Sequence, residues 1–194
     1  MPHGSRNDLT RIDPRDPLVL DTRTLGRRPG SMREESRTVP APADLAVEMV
    51  GVPEGADIEL DYRLEAVMEG VLVSGTARAS LVGECARCLE PLTSSIEVTF
   101  QELYVYSDTR SGGSAEEDER RLEGDLIDLE PVVRDAMVLA LPLSPLCRDD
   151  CPGLCPECGV RLADAGPDHH HDAVDPRWAA LQGLLDHRPE DQEG

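Results

Sequence analysis

The residues of this chain best suited to chemistry are six cysteines in three close pairs. In Cys155-Pro-Glu-Cys158-Gly two thiolates separated by two residues can grip one metal ion from a tight turn. Backbone N–H groups of such a turn point at the sulfurs, and Gly159 suits the positive φ that closes it. Cys85-Ala-Arg-Cys88-Leu repeats the spacing without a glycine after the second cysteine, and Arg87 offsets some thiolate charge. Cys147 and Cys151 are separated by three residues, also within ligand spacing. The internal run Asp168-His169-His170-His171-Asp172 adds imidazoles at i and i+2, which share a side in an extended loop. A solvated polar loop is the plainer account of that run. A thioredoxin-type CxxC would need a βαβ context, and the sequence offers none.

These pairs predict structural zinc, one ion or two. One grouping puts Cys85, Cys88, Cys147 and Cys151 around one ion, and Cys155, Cys158, His169 and His171 around a second. A second uses one ion only, held by Cys155 and Cys158 with Cys147 or Cys151, and leaves Cys85 and Cys88 as a dithiol. A third crosses the knuckles, joining Cys85 and Cys88 to Cys155 and Cys158. The first is favoured because each zinc wants four ligands and six cysteines with two histidines supply eight. In it Cys147 and Cys151 reach back to the Cys85–Cys88 turn, so that the metal holds the fold together. A catalytic zinc keeps an open position beside a general base. No HExxH, deaminase-type HxE with CxxC, P-loop or GxSxG is present. An enzyme, a catalytic residue and a small-molecule substrate are therefore not expected.

The elements that must position these ligands read as an antiparallel sheet. PLVLDTRTLG (17–26) suggests a short strand and a turn at Gly26. Residues 27–42, rich in Pro, Gly, Ser and charge, read as an extended arm or linker. Period-two alternation begins at Leu45, Val47 and Met49 and runs through Asp57–Glu69. There Ile58, Leu60, Tyr62, Leu64, Ala66 and Met68 face inward, and Asp57, Glu59, Asp61 and Glu65 make an acidic outer face. Gly70 marks a hairpin turn into a return strand with Val71, Val73, Ala77, Ala79 and Leu81 inward. The Cys85–Cys88 turn leads to a further strand through Ile96, Val98 and Phe100, with a bulge expected near Gln101–Glu102. Residues 107–121 read as an acidic disordered loop, and Ile127 as a short edge strand. Pro131 suits a helix start with Asp128 as cap, and Pro142 ends it. Trp178, Leu181, Leu184 and Leu185 fall at helical spacing.

The expected fold is thus α+β: an antiparallel sheet or partial barrel, one or two packed helices, and a C-terminal zinc-ribbon-like segment. The expected organisation is a flexible arm with a short strand (1–42), sheet plus helix (43–145), a cysteine-rich segment with the last helix (146–186) and an acidic tail (187–194).

The formal charge is −20 over 194 residues, with no lysine. Residues 1–37 hold eight Arg against six acids, so the remainder carries −22. Such a body repels nucleic acid and anionic membrane and attracts basic proteins, although net acidity also serves plain solubility. The polar start has no signal-peptide pattern, and no stretch approaches the roughly 18 apolar residues of a membrane span. A cytoplasmic location is expected, where reduced thiols favour metal ligation over disulfides.

The segments PLVLDTRTLGRRPGS, ECARCLEPL, EPVVRDAMVLALPLSPLC, CPGLCPECGVRL and VDPRWAALQGLL together resemble the YceD family, described as large ribosomal RNA subunit accumulation proteins. The likeness spans roughly Pro17 to Leu185, with the acidic loop as an insert. It implies a role in 23S rRNA accumulation or processing and in large-subunit assembly. Relatives often carry Cys-x-Cys where His169 and His171 stand, which implies a ligand role for both positions. Beside this, the acidic face suits a basic ribosomal protein of the large subunit better than RNA. Direct rRNA contact through Arg23, Arg27, Arg28 and Arg33 stays open beside their simple solvation. The alternative class is a zinc-stabilised protein adaptor or a thiol-based zinc or redox sensor.

Overall fold

In the computed structural model residues 12–107 and 120–171 are described. The chain divides into two compact units, Met1–Asp149 and Asp150–Gly194. The first is built on an open antiparallel sheet of β2 (Met32–Pro40), β3 (Val50–Gly51), β4 (Asp57–Ala66), β5 (Gly70–Glu84) and β6 (Pro91–Val105). β2 pairs with β4, β4 and β3 with β5, and β6 with β5, so the sheet does not close into a barrel. A small ribbon of β1 (Val19–Asp21) and β7 (Leu126–Asp128) sets Leu20 opposite Ile127, both buried.

The period-two pattern of β4 does what it predicts. Ile58, Leu60, Tyr62, Leu64 and Ala66 are buried, and so are Val71, Val73, Ala77, Ala79 and Leu81 across the ladder on β5. Burying a branched apolar side chain is worth about 1.5–3 kcal/mol, so this face accounts for much of the unit's cohesion. The helix α1 (Glu130–Ala140) carries Pro131 in its first turn and buries Val132, Val133 and Met137. The Asp128 carboxylate accepts the Glu130 N–H at 3.0 Å, satisfying one orphan donor of the helix start.

Four expectations are corrected. Residues 32–40, read as part of a linker, form the nine-residue strand β2. Its inward positions Arg33, Glu35 and Arg37 are charged, so the alternation was invisible to a hydrophobic pattern. They meet one another as ion pairs: Glu35 lies 2.9 Å from Arg33 and 2.8 Å from Arg37, and accepts the Tyr62 hydroxyl at 2.6 Å. No bulge interrupts β6; its register with β5 runs unbroken from Glu84↔Pro91 to Gly70↔Val105. Tyr104, Val105 and Tyr106 are consecutive buried residues. There the segment at Arg120–Leu122 runs beside β6 and exchanges backbone hydrogen bonds with Val105, so this end of the strand is paired on both sides. Met68 is 81% exposed, since β4 ends at Ala66 and Val67 bonds back to Gly70. Leu45 to Val52 is a tight reversal closed by Val47 N–H to Val50 and Val52 N–H to Leu45, and only Val50–Gly51 joins the sheet.

In the second unit Leu154 and Arg161 form a bridge around the Cys155–Cys158 turn, and the Leu162 N–H bonds to Gly153. The expected helix at 178–185, the tail, and positions 108–119 of the acidic loop lie outside the described residues. Among the described residues no helix is long and apolar enough to cross a membrane.

Candidate metal centres

Both CxxC turns are built alike. In the first, the Cys85 N–H bonds to the Glu90 carbonyl at 2.8 Å and the Leu89 N–H to the Cys85 carbonyl at 2.9 Å. In the second, the Cys155 N–H bonds to Val160 at 2.8 Å and the Gly159 N–H to Cys155 at 2.9 Å. The residue after the second cysteine takes a left-handed φ in each, 59° at Leu89 and 72° at Gly159. The glycine that the first motif lacks is therefore replaced by a strained leucine, at a cost of roughly 1–2 kcal/mol. Sequence reading missed this because the signal it uses, Gly, is absent.

The Ala86 N–H bonds to the Pro145 carbonyl at 2.8 Å and draws the segment before Cys147 alongside the first turn. The ligand atoms of Cys85, Cys88, Cys147 and Cys151 all lie within 4.8 Å of one another. Cys88 and Cys147 sulfurs are 3.7 Å apart. A tetrahedral ion with about 2.3 Å metal–sulfur bonds requires edges of about 3.8 Å, so the spacing fits. The Cys147 backbone N–H, followed by those of Arg87 and Cys88, holds the Cys85 thiol down to about 6 against the opposing effect of burial. Lowered thiol values favour the thiolate, the form that binds metal.

Cys155, Cys158, His169 and His171 form the other group, again within 4.8 Å. Cys155 Sγ is 3.3 Å from His171 Nε2, Cys158 Sγ 3.7 Å from His169 Nε2, and the two Nε2 atoms 3.2 Å apart. Bonds of about 2.0–2.1 Å to nitrogen and 2.3 Å to sulfur give comparable edges. His170, between the ligands, directs its Nδ1 to the Asp168 carbonyl at 2.6 Å. Glu157 lies 3.6 Å from His171 Nδ1, where a carboxylate can orient the ring. The Cys155 thiol is lowered to about 6, chiefly by the Cys158 backbone N–H and then by His169.

The structure thus assembles all eight sequence-predicted residues in two sets of four, and neither rival grouping occurs among the described residues. Both sets can hold a metal ion. Thiolates, or thiolates with imidazole nitrogens, in closed sets of four suit zinc, which would act in each site by cross-linking its four ligands.

The family model of "Large ribosomal RNA subunit accumulation protein YceD" matches residues 73–185, a span holding both ligand sets. The chain belongs to the YceD family. That family's name implies a role in accumulation of large ribosomal subunit RNA. Among relatives of this YceD protein, an uncharacterized protein of Mycobacterium tuberculosis is 49% identical over 170 residues, covering 87% of this chain and 82% of its own. One of Mycobacterium leprae is 44% identical over 170 residues, covering 87% and 78%. The uncharacterized protein YlbN of Bacillus subtilis is 27% identical over 111 residues, covering 57% and 63%. No solved structure matches the chain.

Proposed function

We propose that this YceD protein is a non-enzymatic cytoplasmic factor that promotes 23S rRNA accumulation and large-subunit assembly by binding a basic ribosomal protein, with two structural zinc ions. The observation that carries this reading is the family match across residues 73–185. The net charge of −20 supports a cationic protein partner over direct RNA binding, because phosphate contacts need clustered cations. The closed four-ligand sets support zinc as a staple. Depleting the protein in its own cell and measuring 23S against 16S rRNA tests the role: a selective fall in 23S is expected, and an unchanged ratio refutes it.

One observation favours the second reading, a zinc or thiol sensor: Cys158 and His171 are exposed. Resistance of bound zinc to chelator and mild oxidant decides for the structural reading.

A further inference from the structure

The outward face of the main sheet carries a groove of ≈ 930 Å³ whose lining includes Glu34, Ser36, Asp61, Arg63, Thr76 and Thr99. Its geometry follows from register. Ser36 of β2 stands beside Asp61 of β4, Asp61 beside Thr76 of β5, and Thr76 beside Thr99 of β6. The neighbouring row on the same face is Glu34, Arg63, Ser74 and Gln101. Four strands at about 4.8 Å spacing give a face about 14 Å across, wide enough for a helix of about 10–12 Å or an extended segment.

The face is strongly acidic. Glu34, Asp57, Glu59, Asp61, Glu65, Glu84 and Glu97 oppose Arg63 and Arg78, seven carboxylates to two guanidiniums on these four strands. Arg78 is already held, 2.9 Å from Asp61 and 2.7 Å from Glu97, and Arg63 lies 3.7 Å from Glu65. Among the described residues no ion pair engages Glu34, Asp57 or Glu59. Hydroxyls of Ser36, Ser74, Thr76 and Thr99 line the floor with hydrogen-bond acceptors. The face therefore suits donors that carry positive charge, and repels phosphate.

We infer that this groove is the docking surface for an arginine- or lysine-rich segment of a partner protein. The inference rests on the proposed function and localises the partner's contact to one face of β2, β4, β5 and β6. Its test uses the full zinc-loaded chain and a labelled 15-residue Arg/Lys-rich peptide at physiological salt. Glu34→Arg with Asp61→Arg reverses the groove, while Glu54→Arg with Glu69→Arg makes the same charge change at two exposed turns. Because Asp61 holds Ser36 and Arg78, Thr76→Arg with Thr99→Arg serves as a second groove variant, and unfolding curves verify all three.

At least about tenfold weaker peptide binding is expected for both groove variants and less than about twofold for the turn variant, since screened charges act mainly at short range. Equal weakening by groove and turn variants overturns the inference, as does full competition by spermine, which would mark a small-polyamine site. Tighter binding of a single-stranded RNA than of the peptide also overturns it. Pull-down from lysate separates the two claims. If wild type captures no basic ribosomal protein while the peptide still maps to the groove, the functional reading fails and the groove stands. If wild type and groove variants capture such a protein equally, the groove fails and the reading stands.

Discussion

Cys88 and Cys147 are separated by 59 residues of chain, yet their sulfurs lie 3.7 Å apart. A thiol pair at that distance, with Cys85 and Cys151 beside it, is held together at neutral pH more readily by a cation than by thiolates alone, whose charges repel.

Replacing a ligand in each set therefore has separable effects. Cys88→Ser should lower bound zinc from two ions per chain to one and lower the Tm by more than 10 °C, because Cys85 and Cys88 are buried at the sheet's end. Cys158→Ser should also remove one ion but leave the sheet's unfolding transition nearly unchanged. Metal analysis with calorimetry reads both. Full retention of two ions in either variant refutes the ligand assignment.

The two sets should also release metal at different rates. Cys158 and His171 are exposed, whereas three of the four ligands in the other set are buried. A chromophoric chelator should take up one equivalent quickly and a second at least about tenfold more slowly, with Cys158→Ser abolishing the fast phase. A single phase for both equivalents would contradict this order.

The strained turn residue gives a test without metal ligands. Leu89 takes φ 59° and is 53% exposed, so Leu89→Gly relieves left-handed strain while losing little packing. It should stabilise the chain by about 1 kcal/mol in denaturant titration, while Gly159→Val, forced into φ 72°, should weaken retention of the C-terminal ion. Destabilisation by Leu89→Gly would show that its side chain contributes more than its backbone costs.

Acid sensitivity should trace partly to Glu35. The Tyr62 hydroxyl at 2.6 Å, aided by Arg37, holds its carboxyl below the ordinary value. A lowered folded value means that its stabilisation is present above the unfolded carboxyl's range and is lost as pH falls through the folded value. Glu35→Gln should flatten the decline of stability below about pH 4.5, and Tyr62→Phe should cost about 1.5–3 kcal/mol at neutral pH by removing a charged hydrogen bond. An unchanged acid limb in Glu35→Gln would remove Glu35 from the account.

The sequence by itself determined the candidate ligands and the central hairpin. Cysteine spacing is a local property of tight turns, and the alternation of Ile58 to Ala66 against its acidic partners needs only the period of a strand whose one face is buried. Only the tertiary structure decided three things. It decided which cysteines share a site, because the distance between the Cys85 turn and Cys147 depends on how sheet and helix return the chain, not on spacing. It made a strand of Met32–Pro40, because the charges of Arg33, Glu35 and Arg37 are tolerable on the inward face only when they meet one another and Tyr62. And it kept the β5–β6 register unbroken where alternation failed, because Val105 is fixed by backbone pairing on both sides, with Gly70 of β5 and with the segment at Arg120–Leu122, and not by one buried face.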